Sequence, residues 1–588
     1  MKKVIKHVFV CLCAWSISST GWTQEKLTDD IRLNQIGFYP NAPKIAAVYT
    51  TQGDDFFITK EADNKKLFTG KLSGTAKSPF SKKQTRIADF SAFKEPGEYV
   101  LVVPGVGRSY PFNIRNNVHQ EVAKAAAKAF YFHRLSTDLP DEYAGVWKRQ
   151  LGHPDDKVLI HASAASPNRP EGTVISSPRG WYDAGDYNKY IVNSGITVGT
   201  LLSSYEDFPA YWQATYLNIP ESNNGVPDLL DEILWNLRWM LTMQDPHDGG
   251  VYHKLTNPKF DGMVMPHEAT NIRYVVQKST AATLDFAAVL AQASRVYKSF
   301  ERQFPGLSDS CIHAARHAWE WAQKNPAVEY RQVEMNKNFD PDVVTGAYGD
   351  RDVSDEFIWA ASELMITTND SAYSQKINVI PDGKAPLPSW SQVRFLAYYS
   401  LARFENKLKP GLNVDIESIK KNLLALADSL IADTDQHYLR TVMGKTVKDY
   451  IWGSSSVAAN QSIALIQAHK ITKDQKYLRH ALTNVDYLLG RNGTGYSFVT
   501  GFGDKQVMHP HHRPSEADGI SAPVPGWLSG GPNPSMQDRC DYPSAIPDEA
   551  FTDHVCSYAS NEVAINWNAP LVYVLCAMES LQEAFGAE

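Results

Sequence analysis

The chain has 588 residues, 43% of them hydrophobic and 21% charged, with a formal net charge of −7. That length exceeds one ordinary core and implies two or more domains. The acidic balance, without a basic tract or zinc-finger spacing, excludes the usual nucleic-acid binders, which present a basic face.

The first residues carry Lys2, Lys3 and Lys6, then an apolar run from Val8 to Ile17, then the small residues Ser18 to Gly21. This pattern predicts a secretory signal peptide over residues 1–23, cleaved near Thr23 or Gln24. The run is too short to anchor in a membrane, and no later segment has an apolar run of spanning length. Cys11 and Cys13 lack the small preceding residue of a lipoprotein signal, so a soluble exported protein is expected. Periplasm, cell surface and medium all fit. Beyond the leader only Cys311, Cys540, Cys556 and Cys576 remain, too few for a disulfide scaffold. Cys540 and Cys556 could bridge a loop, but sequence does not establish the pairing. No CxxC or HExxH pattern suggests a zinc centre.

From about residue 30 to 115 the pattern is short and alternating: KIAAVYT, DFFITK, QTRIADF, GEYVLVV and RSYPFNI. Turn residues separate these runs, which predicts a small β-sandwich. No catalytic cluster falls within it. After Asn116 the period becomes helical. Helices are expected over 118–135, 227–243, 280–297, 308–324, 353–368, 390–405, 416–432, 454–470, 474–489 and 563–585, about eleven in all. No strand-like alternation interrupts the series, so an α-helical domain over 117–588 is expected, as a closed ring of helical hairpins or an open solenoid.

Two regions carry chemistry. Ser177 to Tyr190 (SPRGWYDAGDYNKY) places Asp183 and Asp186 three residues apart among glycines and aromatic rings. Such a loop presents carboxylates to a wet, flat ligand such as a sugar. It also reads as a plain Gly/Asp turn over an aromatic cluster. Between Gly490 and Asn561 the helical pattern stops, and a long loop rich in Trp, His, Gly and Pro suggests function. His511 and Arg513 offer donors for hydroxyls or for a carboxylate. Glu562 stands just before an apolar helix, a place that the helix dipole alone would also explain.

Together these stretches resemble glycoside hydrolase family 9, in the subgroup with an N-terminal immunoglobulin-like domain. SFVTGFGDKQVMHPHHR (Ser497 to Arg513) and FTDHVCSYASNEVAINWNA (Phe551 to Ala569) carry the likeness, with WYDAGDYNKY as a third landmark. GGVYHKLT, IWGSSS and the GGPN of Gly530 to Asn533 agree. The resemblance covers nearly all of the mature chain and implies an (α/α)6 barrel with an open cleft. It further implies hydrolysis of β-glucans, most often β-1,4-linked, with inversion at the anomeric carbon. By the same resemblance Glu562 is the general acid and Asp186 the general base, with Asp183 holding the water. His511 and Arg513 line the neighbouring subsite, and Asp553 is a supporting acid. Tyr252, His253, Tyr348, Trp452 and Trp567 are expected to stack on or bond the sugars.

Physical chemistry supports such roles. A glycosidic oxygen is a poor leaving group and needs a protonated acid. An ionised carboxylate must take a proton from water on the opposite face. Inversion needs room for that water, so carboxyls roughly 6.5–9.5 Å apart are expected. Glu562, beside Val563, Ala564 and Trp567, is the candidate for a raised pKa.

Two departures concern metals. Relatives that hold zinc use cysteines and histidines before the DAGD motif, where this chain has only His153 and His161, so no zinc is expected. Calcium beside Asp355-Glu356 stays open, because Ser391 stands where a further acidic ligand is expected. The acidic pair equally reads as the first turn of a helix. No cofactor is required.

The expectation is an exported, monomeric endo-β-1,4-glucanase acting on a cellulose-type, mixed-linkage or xyloglucan substrate. An exo-acting β-glucosidase or glucosaminidase would need a blocked cleft, for which 143–180 or 514–550 offer loops. A non-catalytic glycan-binding protein would not need both acids. A polysaccharide lyase would need a Tyr/His or Lys base with uronate-binding arginines.

Overall fold

The computed structural model describes residues 25–61, 65–375, 377–412 and 414–586. The expected signal peptide lies outside the described residues. The alternating N-terminal runs form two facing sheets. One orders Ile31–Arg32, Ile45–Val48, Gln84–Asp89 and Ala76–Lys77. The other orders Gly37–Phe38, Phe112–Ile114, Gly97–Val103, Asp55–Thr59 and Phe68–Lys71. Gly97–Val103 pairs on both edges, and its Tyr99, Leu101 and Val103 pack with Phe38, Phe56, Phe90 and Phe112 in a core of their own.

Tyr39, Ala42, Ala47 and Ile87 of the sandwich join the apolar core of the helices, and polar groups add further ties. Asn34 Nδ2 donates to Asp486 Oδ1 at 2.9 Å and lies 3.1 Å from His119 Nε2. The Tyr39 hydroxyl donates to Glu579 at 2.7 Å, and Arg32 donates to the Asn492 carbonyl at 2.8 Å. Asp486 also pairs with the fully buried Arg491 at 3.1 Å.

Among the described residues, eleven helices of eleven or more residues follow: α1 Gln120–Phe132, α2 Ile191–Asp207, α3 Asp228–Thr242, α4 Thr280–Tyr297, α5 Leu307–Lys324, α6 Ser354–Thr368, α7 Arg394–Phe404, α8 Ile416–Ile431, α9 Ser454–Thr472, α10 Gln475–Leu488 and α11 Ile565–Leu581. They close a ring. Helix α2 packs on α4, α4 on α6, α6 on α7, and α7 on α8. Helix α8 then packs on α9, α9 on α11, and α11 back on α2. Helices α2, α4 and α11 are buried over most of their circumference; α4 and α11 are apolar nearly all round, as expected of helices with no solvent face. Closure excludes the open solenoid.

Two features depart from the sequence pattern. Helix α2, rich in Ile, Val, Thr and Gly, has poor helix propensity and was not among the segments individually predicted. Packing overrides propensity there, since a Cβ at Gly199 would sit 2.5 Å from the Trp359 ring of α6. A five-stranded sheet also interrupts the helical series: Val174–Ile175, Val158–Ile160, Tyr274–Val275, Lys254–Thr256 and Lys189–Tyr190. Its strands are only two or three residues long, too short to show alternation. They matter because Lys189–Tyr190 is the end of the DAGD stretch.

Asp486→Ala should destabilise the protein by about 3–5 kcal/mol, because it leaves buried Arg491 without a counter-charge. Chemical denaturation of wild type and variant measures this; a loss below 1 kcal/mol would mean that the pair carries little of the junction.

Candidate active site

The DAGD loop is held from below. Trp181 is buried, and its indole N–H donates to Glu232 Oε1 at 2.8 Å. Glu232 in turn pairs with Arg134 at 2.9 Å. The Tyr182 amide donates to the His133 carbonyl at 2.9 Å and the Asp183 amide to the Asn188 carbonyl at 3.1 Å. The two acids therefore emerge at fixed angles from a rigid turn.

Asp183 is 2% exposed and accepts from Asn193 Nδ2 at 2.6 Å and from the Tyr348 hydroxyl at 2.8 Å. Burial and the neighbouring Asp186 charge push its carboxyl well above the usual range, against the pull of those two donors. Asp186 accepts from Asn188 Nδ2 at 2.5 Å, from the Asn188 amide at 3.4 Å and from the Tyr190 hydroxyl at 3.1 Å. All three bonds end on Oδ2. Oδ1 is left to the cleft that Asp186 lines.

Glu562 arrives from the far end of the chain. It is an extended residue between the short helix Tyr558–Asn561 and α11. Its backbone bridges His511, and its carbonyl accepts from Gly530 at 2.9 Å. Burial first, then the negative Asp186 and Asp183, push its carboxyl well above the usual range, and Arg513 and the Gly185 N–H oppose this. The side chain is part-exposed, but only to the cleft, where water is confined between protein walls.

The two loops meet tightly. A Cβ at Gly185 would sit 2.2 Å from the His511 carbonyl oxygen, so only glycine fits. Arg513 donates to the Gly185 carbonyl from its amide at 3.3 Å and from Nη1 at 2.6 Å, and its Nε donates to the Asp261 carbonyl at 3.0 Å. His511 donates Nδ1–H to the Val555 carbonyl at 2.6 Å. That bond fixes its tautomer, leaving Nε2 as an acceptor. Burial lowers its pKa and keeps it neutral.

These groups wall a cleft of about 530 Å³. Asp183, Asp186, Glu562, His511, Arg513, Tyr348 and Trp452 all line it. Trp452 is 47% exposed and packs against Tyr558 at 5.5 Å, a flat surface on which a sugar ring can stack. Of the two loops that could block the cleft, 514–550 contributes only Gln537 to its wall and 143–180 contributes nothing.

Four expected site residues are not among those that line the cleft. Tyr252 is fully buried, with its hydroxyl between Asp245 and Arg169. His253 is buried and stacked on Tyr330, its ring nitrogens engaged by Ser279 and the Ala347 carbonyl. It holds the Tyr348 loop from behind. Trp567 is half-buried against Gly453 and Gly530 and is not among the residues that line the cavity. Asp553 accepts from the Met508 and His509 amides, both at 2.8 Å, and from Asn561 Nδ2 at 3.1 Å. It positions the residues beside Glu562 and His511 and is not a cleft acid.

Several contributors were not predicted. Asn188, Tyr190 and Asn193 hold the acids, and only their place within or just after the DAGD stretch pointed to them. Lys254 is buried, and burial pushes its amine well below the usual range. Its Nζ donates to Thr345 at 3.0 Å and to the Gly346 carbonyl at 2.6 Å, holding the wall segment beside Asp186. Phe260, Val344, Gln537 and Tyr558 complete the wall. The loop left open as a disulfide is closed by Cys540–Cys556, on the segment that supplies the Val555 carbonyl and Tyr558.

Metal expectations can be tested on the side chains. His161 engages Ser163 and the Pro341 carbonyl, and His153 engages the Tyr182 hydroxyl. Asp355 accepts from the Val393 amide at 2.6 Å, and buried Glu356 and Asp285 lie near it. These oxygens are hard donors of the kind calcium takes. Yet among the described residues no three acids, histidines or cysteines converge on one point, and the Ser391 hydroxyl faces Ser389. The carboxylate oxygens of Asp285 and Glu356 are buried without a hydrogen-bond partner among the described residues.

A ring of helices carrying two carboxylates across an aromatic-walled cleft is the apparatus of a glycoside hydrolase. The family model for Glycosyl hydrolase family 9 matches residues 119–575, and the model for the Cellulase N-terminal ig-like domain matches residues 26–108. The chain belongs to family 9. It is 45% identical over 582 residues to a xyloglucan-specific endo-β-1,4-glucanase of Bacteroides ovatus, covering 98% of this chain and 99% of that protein. It is 36% identical over 571 residues to endoglucanase D of Acetivibrio thermocellus, covering 94% and 81%. A solved Bacteroides ovatus family 9 structure superposes with a TM-score of 0.90 at 46% identity, covering 94% of this chain and all of that one.

A carboxyl whose pKa is raised on folding adds stability below its unfolded value, and loses it as pH rises through the folded value. Glu562→Gln should therefore raise the melting midpoint at pH 8, by about 2–4 °C. The gain should fade below the ordinary glutamate value of 4.5. Melts across pH test this; a gain equal at every pH would point to packing instead of charge. Replacing both Cys540 and Cys556 by serine should cost about 3 kcal/mol, as for a loop of this length. It should also lower kcat/KM, measured beside the melting midpoint; unchanged catalysis would separate the bridge from the site.

Proposed function

We propose that this chain is an exported, inverting endo-β-1,4-glucanase that cleaves xyloglucan, with Glu562 as general acid, Asp186 as general base and Asp183 holding the attacking water. The observation that carries the roles is the unlike surroundings of the two acids on one cleft. Burial first, then the neighbouring Asp186 and Asp183 carboxyls, push the Glu562 carboxyl well above its usual range and favour its protonated form. Asp186 keeps one oxygen free of protein donors while Asn188 and Tyr190 stabilise the other.

In this reading the glucan lies along the cleft with Trp452 beneath a sugar ring. Glu562 protonates the departing glycosidic oxygen as positive charge develops at the anomeric carbon. Asp186 Oδ1 takes a proton from water on the opposite face, and that water's oxygen bonds to the anomeric carbon. Asp183, fixed by Asn193 and Tyr348, orients the same water. Neutral His511 accepts a sugar hydroxyl at Nε2. Arg513 holds the Gly185 loop and lends positive charge to the wall.

An internal cleavage mode is favoured by a wall to which the long loops bring only Gln537. The xyloglucan assignment is supported by the Bacteroides ovatus relative, aligned over nearly the whole chain. Export is supported by the Lys2, Lys3, Lys6 and Val8–Ile17 leader. Among the described residues no helix is long and apolar enough to cross a membrane.

A depolymerisation panel tests the proposal with xyloglucan, mixed-linkage glucan, carboxymethylcellulose and short cello-oligosaccharides. Wild type should cut xyloglucan to mid-sized fragments with rapid loss of viscosity. Glu562→Gln and Asp186→Asn should each lower kcat by roughly 10²–10⁴-fold. The newly formed reducing end should appear first as the α-anomer by NMR. Release of single sugars with the polymers intact would overturn the endo mode, and an initial β-anomer would overturn inversion.

A further inference from the structure

Phe260 and Val344 stand apart from the rest of the cleft. The catalytic floor is nearly closed to solvent, with Asp183 2%, Asp186 5% and Thr345 2% exposed. Phe260 is 48% exposed and Val344 51% exposed, and both line the same cavity. A half-exposed phenyl beside a half-exposed isopropyl group is an unfavourable surface to leave in water.

Their exposure does not come from loose loops. The Val344 amide donates to the Pro258 carbonyl at 2.8 Å, linking the two segments. The Asp261 carboxylate accepts from Asn257 at 3.2 Å and from Asn271 at 2.7 Å. The Asn257 amide donates to Asn188 Oδ1 at 2.9 Å, and Thr256 Oγ1 lies 2.6 Å from Thr345 Oγ1. Arg513 closes the set by donating to the Asp261 carbonyl, with its guanidinium 5.8 Å from the Phe260 ring centre. The network that sets Asp186 thus also sets the two apolar side chains. They are held ready in register with the catalytic acids.

We infer that Phe260 and Val344 form a specificity site that receives a pentopyranosyl branch carried on O6 of the glucan backbone. This rests on the xyloglucan reading above. In a β-1,4-glucan successive C6 arms point to alternate edges of the ribbon. A sugar on O6 therefore leaves the floor, where the backbone lies, and meets the rim. Phe260 and Val344 have no side-chain hydrogen-bonding groups, so they select by shape and C–H contact. A pentopyranose has a bare C5 methylene where a hexopyranose carries a hydroxymethyl arm, and it presents the more apolar edge to such a surface. Trp452 with Tyr558 supplies a stacking surface for the backbone, so the rim pair is not needed for that task.

The test uses the full chain carrying Glu562→Gln, which binds without cutting. Calorimetry compares a cello-oligosaccharide bearing α-xylosyl branches with an unbranched one of equal backbone length. Adding Phe260→Ala should weaken the branched ligand roughly ten-fold while the unbranched one changes by no more than about two-fold. Val344→Ser should act in the same direction, and Phe260→Trp should retain the preference for branches. Equal weakening of both ligands would overturn the inference and make Phe260 a backbone subsite. No weakening of either would also overturn it. A parallel digest with the catalytically intact chain separates the two levels. If it fails to cut xyloglucan, the substrate reading falls and this inference with it. If it cuts xyloglucan and Phe260→Ala leaves the branched-to-unbranched ratio unchanged, only the inference falls.

Discussion

The contact on which the site depends is the seam between Gly185 and the His511–Arg513 segment. Asp186 and Glu562 come from distant parts of the chain, and no single element carries both. They are brought together because Gly185 has no side chain and the His511 carbonyl can lie where a Cβ would be. Arg513 then closes the seam with two donors on the Gly185 carbonyl. His511 bridges Glu562 through the backbone. Any residue larger than glycine at 185 would part the loops and move Glu562 relative to Asp186. A misplacement of about an ångström is enough to cost much of the rate.

The same seam concentrates charge that folding disfavours. Three carboxyls face one small cleft, and burial and mutual repulsion raise two of them, Asp183 and Glu562. The histidines nearby are kept neutral by burial, His133 down to about 3 and His511 and His512 below their usual value. Such a site is stable only on a scaffold that cannot relax around it. The closed ring supplies that rigidity: α2, α4 and α11 are buried around most of their surface, and Trp181, Trp239 and Trp527 pack behind the DAGD loop. The sandwich adds polar ties at Asn34 and Tyr39, far from the chemistry.

What could be read from the chain divides along physical lines. Long helices with one apolar face, such as those expected over 308–324 and 416–432, announce themselves by period, and the observed Leu307–Lys324 and Ile416–Ile431 differ little from expectation. The DAGD stretch was legible because glycines, acids and rings crowd into few positions, whereas Glu562 stood out only through the resemblance of Phe551 to Ala569 to the family motif. Tyr252 and His253 misled because a motif places residues near a site without saying which way they point. Both lie buried just before the strand Lys254–Thr256, Tyr252 in an isolated bridge to Lys278, and the two- and three-residue strands of that sheet leave no periodic trace. Trp567 packs half-buried against Gly453 and Gly530 instead of lining the cavity. Helix α2 escaped individual notice because Gly199 is needed to admit Trp359, and such a need exists only in three dimensions. Phe260 and Val344 were invisible for the opposite reason: isolated apolar residues in loops carry no signal until their exposure is known.

The cleft also explains why so much of the last hundred residues lacks regular structure. A polymer must enter from the side, so the wall cannot be a closed ring of helix ends. Loops have to supply the far wall, and each loop needs its own anchor. Asp553 binds the 508–509 amides, Asp538 binds the Ala559 amide and the Ser557 hydroxyl, and the Cys540–Cys556 bridge ties the remaining span. None of these groups lines the cleft. They are carboxylates and sulfurs that do for loops what i→i+4 hydrogen bonds do for helices. An acid-rich motif in such a region therefore contains two kinds of carboxylate, those that act and those that hold. The number of backbone amides each one accepts tells them apart.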